Sequence, residues 1–410
     1  LNMINLKPFY KNILCYSLYL SLASLPLSAC SAGLVEIKNH PIDAVVEQNK
    51  NPNPSTSKTA AHKINQMRVM HIDIDYIYDK DKQQQQNNIN ELLKRINIIQ
   101  PNTIFLQAFA DPDANGSADQ VYFKNRHIPL RDDLFPILLN QIRSKTKVQQ
   151  VYAWLPLMAW EFPKNYNLSY VSHTQGGKSG YIRVSPFDPK NLSYVADIFS
   201  DFLKNNAVDG ILYHDDITLS DYEDASPAAQ KMYQTWGFNA KQLLNQPDHP
   251  QQLEFAQFKT AYLDQFAAGI TKILKQQNPQ LLTARNMYAP VVLNPQSENW
   301  FSQSMPSTYQ YYDYNAIMAM PYMEEATNHQ QFYLDLIERT KKYDPNLDRT
   351  IFELQAVNWH NNQKIPTQEL IDTMQWLEKH GVKHIGYYPD DFVSQHPDAS
   401  KIKVVFSNFD

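Results

Sequence analysis

The sequence of 410 residues has little glycine and almost no cysteine. Its 10 glycines form neither a G-x-G-x-x-G fingerprint nor a phosphate-binding loop, so we expect no nucleotide cofactor. Both of its 2 cysteines, Cys15 and Cys30, lie near the start, which leaves the rest of the chain without a disulfide or a thiol nucleophile. An excess of basic charge is also missing. The net charge of −5 argues against binding to nucleic acid and favours a neutral or cationic partner.

The first residues have the pattern of an export signal. Lys7 and Lys11 precede an apolar run over 13–27, which is too short to span a bilayer comfortably. The run ends in Leu27-Ser-Ala-Cys30, which resembles the lipobox of bacterial lipoproteins. We therefore predict that residues 1–30 are a lipoprotein signal peptide and that Cys30 is lipidated. In that family, Ser31 rather than Asp after the cysteine implies sorting to the outer membrane. The alternative is an uncleaved anchor helix.

Residues 31–66 have no apolar periodicity. They include Asn51-Pro-Asn-Pro-Ser-Thr-Ser57, which is rich in turn formers. We predict a flexible linker over 31–66 that holds a folded domain, residues 67–410, off the membrane.

From residue 67 onward, short apolar runs alternate with longer amphipathic segments, which is typical of a parallel sheet. The predicted strands are 68–75, 103–109, 150–155, 210–213, 281–285, 316–320, 350–355 and 384–388. The predicted helices cover 88–98, 134–143, 191–205, 253–276, 330–341 and 367–380. Eight such units predict an α/β fold, a closed (β/α)8 barrel of the TIM type. An open doubly wound sheet would usually carry a phosphate loop after its first strand.

The stretch Asp209-Gly-Ile-Leu-Tyr-His-Asp-Asp216 is central to the functional prediction. A short buried strand runs directly into His214, Asp215 and Asp216. Adjacent carboxylates beside an imidazole are typical of sites where enzymes hold acids with shifted pKa values. The alternative is a strand that simply enters a polar loop.

Polar and aromatic residues follow nearly all of the predicted strands, at the end of the barrel where active sites lie. They are Asp73, Asp75, Tyr76, Gln107, Trp154, His214, Asp215, Asp216, Asn286, Tyr322, Glu353, Gln355, Tyr388 and Asp390. Carboxylates beside flat rings suit glycoside hydrolysis, in which one carboxylic acid protonates the leaving oxygen and a second group stabilises or attacks the anomeric carbon. We expect the neighbouring acids to raise the pKa of the proton donor and keep it protonated at neutral pH.

For some of these residues, a purely structural role is the alternative to a role in the site. Asp73 alternates with Ile72 and Ile74, so it can face the barrel interior as a hydrogen-bond partner. Trp154 is either a core residue or a platform for a sugar ring. Asp111-Pro-Asp-Ala-Asn-Gly116 favours a turn over a calcium loop, because the closing glutamate of an EF-hand is missing. The histidines have no metal-ligand spacing, so we expect no metal site.

Several segments together resemble the C-terminal glycoside-hydrolase domain of PgaB-type poly-β-1,6-N-acetyl-D-glucosamine deacetylases of Gram-negative biofilm formers. The resemblance covers the chain from about residue 67 to its end, in order. It is carried by His71-Ile-Asp-Ile-Asp-Tyr-Ile-Tyr-Asp79, Asn102-Thr-Ile-Phe-Leu-Gln-Ala-Phe-Ala-Asp-Pro-Asp113, Tyr122-Phe-Lys-Asn-Arg-His-Ile-Pro-Leu130, Tyr152-Ala-Trp-Leu-Pro156, Ser185-Pro-Phe-Asp-Pro189, Gly210-Ile-Leu-Tyr-His-Asp-Asp216 and Ser220-Asp-Tyr-Glu-Asp-Ala-Ser-Pro227.

The resemblance implies a barrel that binds partly deacetylated poly-β-1,6-N-acetyl-D-glucosamine and cleaves it internally. The family's catalytic acid falls within His214-Asp-Asp216, and we favour Asp215 slightly over Asp216. The nucleophile stays open between a second carboxylate, water and the acetamido oxygen of the substrate. We predict substrate contacts from Asp73, Asp75, Tyr76, Trp154, His214, Tyr322, Glu353 and Asp390, with Trp154 and Tyr322 stacking on sugar rings.

The sequence also departs from this family. The family protein carries a metal-dependent deacetylase domain before the barrel, whereas only about 36 residues separate Cys30 from the barrel here. We therefore expect no deacetylase activity. We expect a lipid-anchored protein on the periplasmic face of the outer membrane, with polysaccharide export proteins as candidate partners. The alternative function is a non-catalytic lipoprotein that binds the same polymer during its export.

Overall fold

The structure, a computed structural model, describes residues 34–50, 63–176 and 181–407. The predicted signal peptide and Cys30 lie outside the described residues. Eight parallel strands close into a barrel in sequential order, each paired with its neighbours in the chain. The predicted (β/α)8 barrel is thus confirmed. The strands are β1 (Arg68–Ile72), β2 (Thr103–Gln107), β3 (Gln150–Leu155), β4 (Gly210–Tyr213), β5 (Leu282–Tyr288), β6 (Tyr314–Met318), β7 (Thr350–Gln355) and β8 (His384–Tyr388).

Helices surround the barrel and follow its strands. They are α1 (Ile42–Gln48), α2 (Lys82–Ile99), α3 (Phe135–Lys145), α4 (Pro189–Asn205), α5 (Pro227–Thr235), α6 (Ala240–Leu243), α7 (Gln252–Gln277), α8 (Ala289–Leu293), α9 (Glu298–Phe301), α10 (Met305–Tyr311), α11 (His329–Thr340), α12 (Thr367–Lys379) and α13 (Ala399–Phe406). Within the described ranges, no helix combines the length and the apolarity that crossing a bilayer requires.

Helix α4 illustrates how the sequence forms these elements. The carboxylate of Asp188 accepts the backbone N–H of Lys190 at 3.0 Å and caps the first turn, which begins with Pro189. Leu192, Val195, Phe199 and Phe202 follow at spacings of three and four residues and are all buried. This apolar stripe packs the helix against its neighbours and leaves its polar face in solvent.

Strand β4, which leads to the candidate acids, is buried along its whole length. Parallel strands covered by helices have little exposed backbone, so apolar residues occur without alternation. Gly210 begins the strand where the ring of Tyr152 lies directly against the backbone. A Cβ atom at this position would be 2.3 Å from that ring. Glycine therefore lets β3 and β4 pack closely beneath the site.

The boundaries of β1, β2, β5 and β6 differ from the prediction by up to three residues. β1 ends at Ile72, and residues 74–76 form a helical turn, in which the backbone N–H of Asp75 donates to the side chain of Gln107. Strand β6 begins at Tyr314 and ends at Met318, two residues earlier at each end than the predicted strand 316–320.

The prediction of a flexible linker over 31–66 is wrong for the part around α1. Ile42 and Val45 are buried, and α1 packs against α7 and α4. The ring of His40 stacks on Tyr262 at 4.0 Å, and its Nε2 donates to the Tyr262 carbonyl at 3.0 Å. Burial lowers the pKa of His40 to about 4, although that hydrogen bond acts in the opposite direction. We call residues 34–48 the N-terminal strap. The sequence pattern failed here because seven helical residues are too few to display an amphipathic period.

Candidate active site at the carboxyl ends of the strands

A cleft with an empty volume of about 750 Å³, part of it open to solvent, lies at the carboxyl ends of the barrel strands. Its lining comes from loops and strand ends around the whole ring. The lining residues are His71, Asp75, Gln107, Phe109, Asp111, Gly116, Trp154, Tyr181, His214, Asp215, Asn286, Met318, Met320, Met323, Glu353, Trp359 and Tyr388. The predicted convergence of polar side chains from distant parts of the chain is therefore present.

Asp215 and His214 form an ion pair in this cleft. Nδ1 of His214 lies 2.7 Å from Oδ1 of Asp215, and both side chains are buried at the cleft wall. The hydroxyl of Tyr181 donates to both carboxylate oxygens of Asp215, at 3.0 and 3.1 Å. Asp215 is thus held in one orientation by partners on two sides.

The charge state of this pair differs from the expectation. Burial raises the pKa of Asp215, but the charge of the neighbouring His214 and the hydrogen bonds from Tyr181 oppose burial, and that pKa lies below its usual value. Burial lowers the pKa of His214, but Asp215 outweighs it and raises that pKa overall. We expected neighbouring acids to keep the donor protonated. For Asp215 this is wrong, because its nearest charged neighbour is a cation.

Asp216 has a different environment from Asp215. Its carboxylate accepts three backbone N–H groups, from Leu157 at 3.2 Å and from Met158 and Ala159 at 2.6 Å each. It is fully buried and does not line the cleft. Asp216 therefore fixes the loop after β3. Of the two candidate acids, the structure places only Asp215 where a substrate could reach it.

The floor of the cleft holds a second cluster, built on β1 and β7. One carboxylate oxygen of Glu353 contacts Nδ1 of His71. The other oxygen accepts the side-chain N–H of Asn286 at 2.9 Å. Glu353 lines the cleft, as predicted for a residue close to the substrate, and both of its oxygens already have protein partners.

Asp73 lies beneath this floor. Its Oδ2 accepts the hydroxyl of Tyr388 at 3.1 Å, whereas its buried Oδ1 has no hydrogen-bond partner among the described residues. Burial raises the pKa of Asp73 to about 7; Asp75 and Glu353 add to the rise, and His71 and Tyr388 oppose it. Asp73 does not line the cleft, so its predicted role as a direct substrate contact is replaced by that of supporting Tyr388.

Asp75 does line the cleft and has several partners. Its carboxylate accepts Nη1 of Arg131 at 2.8 Å, the hydroxyl of Tyr122 at 2.5 Å and Nε2 of Gln107 at 3.1 Å. About a fifth of the side chain, 19%, remains exposed. Asp75 can therefore still meet a ligand from the cleft side.

A further acidic group borders the cleft at the turn after β2. The carboxylate of Asp111 accepts the backbone N–H groups of Asn115 and Gly116 at 3.1 and 2.8 Å, which makes the segment a turn, as favoured from the sequence. Burial raises the pKa of Asp111 to about 7 and that of Asp119 to about 6, and Asp113 contributes to both shifts. The described residues include no group of three or more His, Cys, Asp or Glu that could hold a metal ion.

Aromatic rings form the wall beside the acids. Trp154 stacks on His214 with 4.8 Å between ring centroids and meets His71 edge-on at 4.5 Å. Tyr388 and Phe109 pack against the same indole. Trp154 is thus both a packed residue and part of the cleft lining, so the two roles considered for it are combined. Met318, Met320 and Met323 line another part of the cleft.

In addition to Asp73, three further residues predicted to bind substrate do not line the cleft. Asp390 is buried against Arg95, whose Nε lies 2.9 and 2.8 Å from its two oxygens, and it also accepts the hydroxyl of Tyr387 at 2.7 Å. The hydroxyl of Tyr322 donates to Glu369 on α12 at 2.7 Å. Tyr76 is partly buried against the core. These predictions failed because other elements supply partners that strand position alone does not reveal.

Sequence reasoning also missed several cleft residues. Tyr181 comes from the long loop after β3, far from the predicted strand end, and Trp359 lies in the loop that follows β7. Gly116 is in the left-handed region, with φ of 90°, and a Cβ atom there would be 2.4 Å from the Tyr181 ring. The glycine in the Asp-Pro-Asp-Ala-Asn-Gly turn was a signal for close packing, but nothing in the sequence identified Tyr181 as its neighbour.

Comparison with known proteins shows the family and the fold to which this chain is similar. A family model described as hypothetical glycosyl hydrolase family 13 matches residues 71–388. The solved glycoside hydrolase domain of PgaB (BpsB) from Bordetella bronchiseptica is 38% identical, with a TM-score of 0.79, and the match covers 84% of this chain and 99% of that domain. A β-galactosidase from Rahnella sp. R3 shares the fold, with a TM-score of 0.58 at 12% identity over 85% of this chain and 57% of its own.

Longer proteins also match. The poly-beta-1,6-N-acetyl-D-glucosamine N-deacetylase of Escherichia coli (strain K12) is 38% identical over 372 residues, which are 87% of this chain and 55% of that protein. The corresponding protein of Escherichia coli O157:H7 matches to the same extent. The chain thus spans about half the length of the curated relatives it matches.

Proposed function

Because the chain belongs to hypothetical glycosyl hydrolase family 13, we propose that it is an endo-acting glycoside hydrolase that cleaves partly deacetylated poly-β-1,6-N-acetyl-D-glucosamine, a biofilm exopolysaccharide. The predicted resemblance to PgaB-type glycoside hydrolase domains is confirmed by 38% identity over nearly the whole of one such domain. The name of the Escherichia coli relative supplies the polymer. The observation that carries the proposal is the Asp215–His214 pair facing the cleft.

Charge complementarity supports the choice of a partly deacetylated polymer. Each removed acetyl group leaves an amine, which is cationic at neutral pH. Asp75, Asp111 and Asp215 line the cleft from three different strand ends. Because Arg131 and His214 pair with Asp75 and Asp215, these carboxylates attract an ammonium group through short-range hydrogen bonds rather than through a large net negative charge. A fully acetylated polymer lacks this attraction, so we expect it to bind more weakly.

The acid step uses Asp215 and His214 together. The raised pKa of His214 and the lowered pKa of Asp215 keep the proton of the pair on the imidazole in the free protein. When the glycosidic C1–O bond breaks, its electron pair goes to the leaving oxygen. His214 first gives its Nδ1 proton to Asp215, 2.7 Å away, and Asp215 then passes that proton to the leaving oxygen. Water supplies the hydroxyl group that C1 gains, and the proton that this water loses returns to the His214–Asp215 pair, so that the net reaction consumes one water molecule.

The remaining cleft residues have supporting roles in this scheme. Trp154 offers the face of a sugar ring an apolar surface next to His214. Glu353 is engaged with His71 and Asn286 at the floor of the cleft. The second group of the reaction stays open between a carboxylate, water and the acetamido oxygen.

One observation favours a second candidate function. An ionised Asp215 binds an ammonium group better than it donates a proton, so its lowered pKa also suits a non-catalytic protein that holds the polymer during export. In either case we propose that Cys30 carries a lipid anchor and that the protein lies on the periplasmic face of the outer membrane. Polysaccharide export proteins would then be its partners.

Product analysis separates these functions. The purified protein is incubated with poly-β-1,6-N-acetyl-D-glucosamine of defined acetylation, and chain length and free acetate are followed by mass spectrometry. The hydrolase proposal predicts internal fragments from the partly deacetylated polymer, fewer from the fully acetylated polymer, and no released acetate. Binding without shortening would support the export function, and cleavage of a different glycan alone would refute the proposed substrate.

A further inference from the structure

The N-terminal strap leads to a groove on the outside of the barrel. Leu34 and Val35, the first residues of the strap, line this groove together with Leu253 at the start of α7 and Tyr343 after α11. Residues around α8 to α10 complete it. We call it the Leu34 groove. It shares no lining residue with the catalytic cleft.

The Leu34 groove gathers exposed apolar surface. Seven large hydrophobic residues are exposed among those that the structure describes, and three of them line this groove. They are Leu34 at 45%, Leu253 at 39% and Tyr343 at 44% relative exposure. Apolar side chains that cluster on a surface usually mark a contact with another molecule or with lipid.

The charges at the rim favour an anionic occupant. Arg339 and Lys342 line the groove, and both are exposed. The carboxyl group in the same lining, Glu298, is 8% exposed and lies near Thr260 in the wall. The ring of Tyr343 lies parallel to that of Tyr309 with 6.4 Å between ring centroids, and Tyr343 is 44% exposed. Cations beside an amphipathic aromatic ring are typical of surfaces that lie at the headgroup level of a bilayer.

The position of Cys30 indicates which occupant the Leu34 groove would meet. Four residue steps separate Cys30 from Leu34, so an extended chain reaches at most about 14 Å between them. The strap beyond Leu34 is fixed by the burial of His40 and Ile42. A lipid on Cys30 would therefore hold the Leu34 groove next to the membrane that contains the lipid.

We propose that the face of the barrel bearing the Leu34 groove docks on the lipid surface in which Cys30 is anchored. The proposal rests on the proposed lipidation of Cys30. It replaces the expectation that a long linker holds the barrel away from the membrane, since the strap leaves only a short tether. The barrel then has a preferred orientation on the bilayer rather than free rotation about its anchor.

Site-specific fluorescence tests this orientation. Leu253→Cys and Tyr343→Cys variants of the full chain are produced in a bacterium that processes lipoproteins, labelled with an environment-sensitive fluorophore, and reconstituted in phosphatidylethanolamine–phosphatidylglycerol vesicles carrying a lipid-bound quencher. Ile137→Cys is the matched control, because Ile137 is exposed to 45% on α3, outside the Leu34 groove. Unsubstituted protein measures any labelling of the native cysteines, Cys15 and Cys30.

We expect the labels at 253 and 343 to be quenched and blue-shifted, and the label at 137 to behave as it does in water. Equal signals from all three positions, with lipid found on Cys30 by mass spectrometry, would overturn the docking surface alone. Absence of lipid on Cys30 would overturn the anchor and the docking surface together. Polymer cleavage, measured on the same samples, reports separately on the proposed hydrolase, because none of the three substituted residues lines the cleft.

Discussion

Asp215 and Asp216 are adjacent in the chain but have opposite surroundings. Asp215 faces the cleft and pairs with His214, whereas Asp216 points into the protein and accepts three backbone N–H groups. From the apolar run before them, we predicted that both acids follow the end of a buried strand. That run did not indicate which carboxylate turns inward, because that depends on the path of the loop over Leu157 to Ala159.

Replacement of Asp216 should affect stability first. In Asp216→Asn, the amide offers one acceptor oxygen, and its NH₂ group faces donors, so at least one buried N–H loses its partner. We expect the free energy of unfolding to fall by about 2 kcal/mol, measured by urea denaturation. The folded variant should still cleave polymer. Unchanged stability together with lost cleavage would show instead that Asp216 takes part in the chemistry.

Asp73 makes stability depend on pH. Its pKa is about 7 in the folded protein and 3.8 as the ordinary value, and burial is the largest cause. A raised folded pKa adds stability below the unfolded pKa, and this stability is lost as the pH rises through about 7. The Asp73→Asn variant has no carboxylic acid at this position, so it does not show this loss of stability. We therefore expect its free energy of unfolding, relative to the natural protein, to rise by on the order of 2 to 3 kcal/mol between pH 5 and pH 8.

The residues around Asp73 provide a second variant for the same measurement. His71, Asp75, Glu353 and Tyr388 surround its carboxyl group, and Tyr388 donates a hydrogen bond to it. Tyr388→Phe removes that hydrogen bond and should shift the pH at which stability is lost upward. A stability difference between Asp73→Asn and the natural protein that is the same at every pH would contradict the assignment.

The positions of residues relative to the predicted strand ends identified one part of the site but not the rest. Asp75, Trp154, His214, Asp215 and Glu353 reach the cleft as expected, because the carboxyl ends of parallel strands meet at one mouth of a barrel. Asp390 and Tyr322 do not, because Arg95 on α2 and Glu369 on α12 bind them. Such partners are far away in sequence and carry no local signal. Tyr181 and Trp359 come from loops, whose paths the periodicity does not specify.

At the scale of elements, the eight strands were predictable because helices cover them on the outside. Short apolar runs therefore mark most of the strands, although polar residues such as His71, Asn286 and Glu353 lie within them, and the longer helices between the strands show a clear period. The short helices α8, α9 and α10 were missed. They have four to seven residues each; residues 294–297 separate α8 from α9, and residues 302–304 separate α9 from α10. The strap helix α1 was missed for the same reason of length.

Docking of the strap depends on Gly269 in the middle of α7. A Cβ atom at this position would lie 2.2 Å from Cγ1 and 2.9 Å from Cγ2 of Ile42. Alanine favours a helix over glycine by about 1 kcal/mol, but a contact this short forces α1 to move. We expect Gly269→Ala to lower the free energy of unfolding by about 1 to 3 kcal/mol and to speed amide exchange in α1, measured by hydrogen exchange with mass spectrometry.

A double variant provides the control. Ile42→Ala removes the side-chain atoms that the methyl group introduced by Gly269→Ala would meet, so the two changes together should cost less than the sum of the separate changes. Additive costs, or a Gly269→Ala protein with a fully protected α1, would mean that this close contact does not hold the strap.

At the scale of the whole molecule, the barrel carries two surfaces of different composition. The catalytic cleft collects carboxylates and rings from strand ends and loops, and the Leu34 groove collects exposed apolar residues and two cations. The net charge of −5 indicated a neutral or cationic partner, and the cleft residues are consistent with an amine-bearing polymer. Composition could not reveal the groove, because Leu253 and Tyr343 come together through the fold of the barrel and Leu34 joins them through the docking of the strap.

Asp215 is central to the proposed reaction, and one substitution tests it directly. The measurement is cleavage of partly deacetylated poly-β-1,6-N-acetyl-D-glucosamine by Asp215→Asn, with binding of the same polymer followed in parallel. We expect a folded protein that still binds the polymer but cleaves it at least about 10²-fold more slowly, because the cleft has lost its proton donor. Cleavage at the rate of the natural protein would contradict the assignment of Asp215 and with it the proposed mechanism.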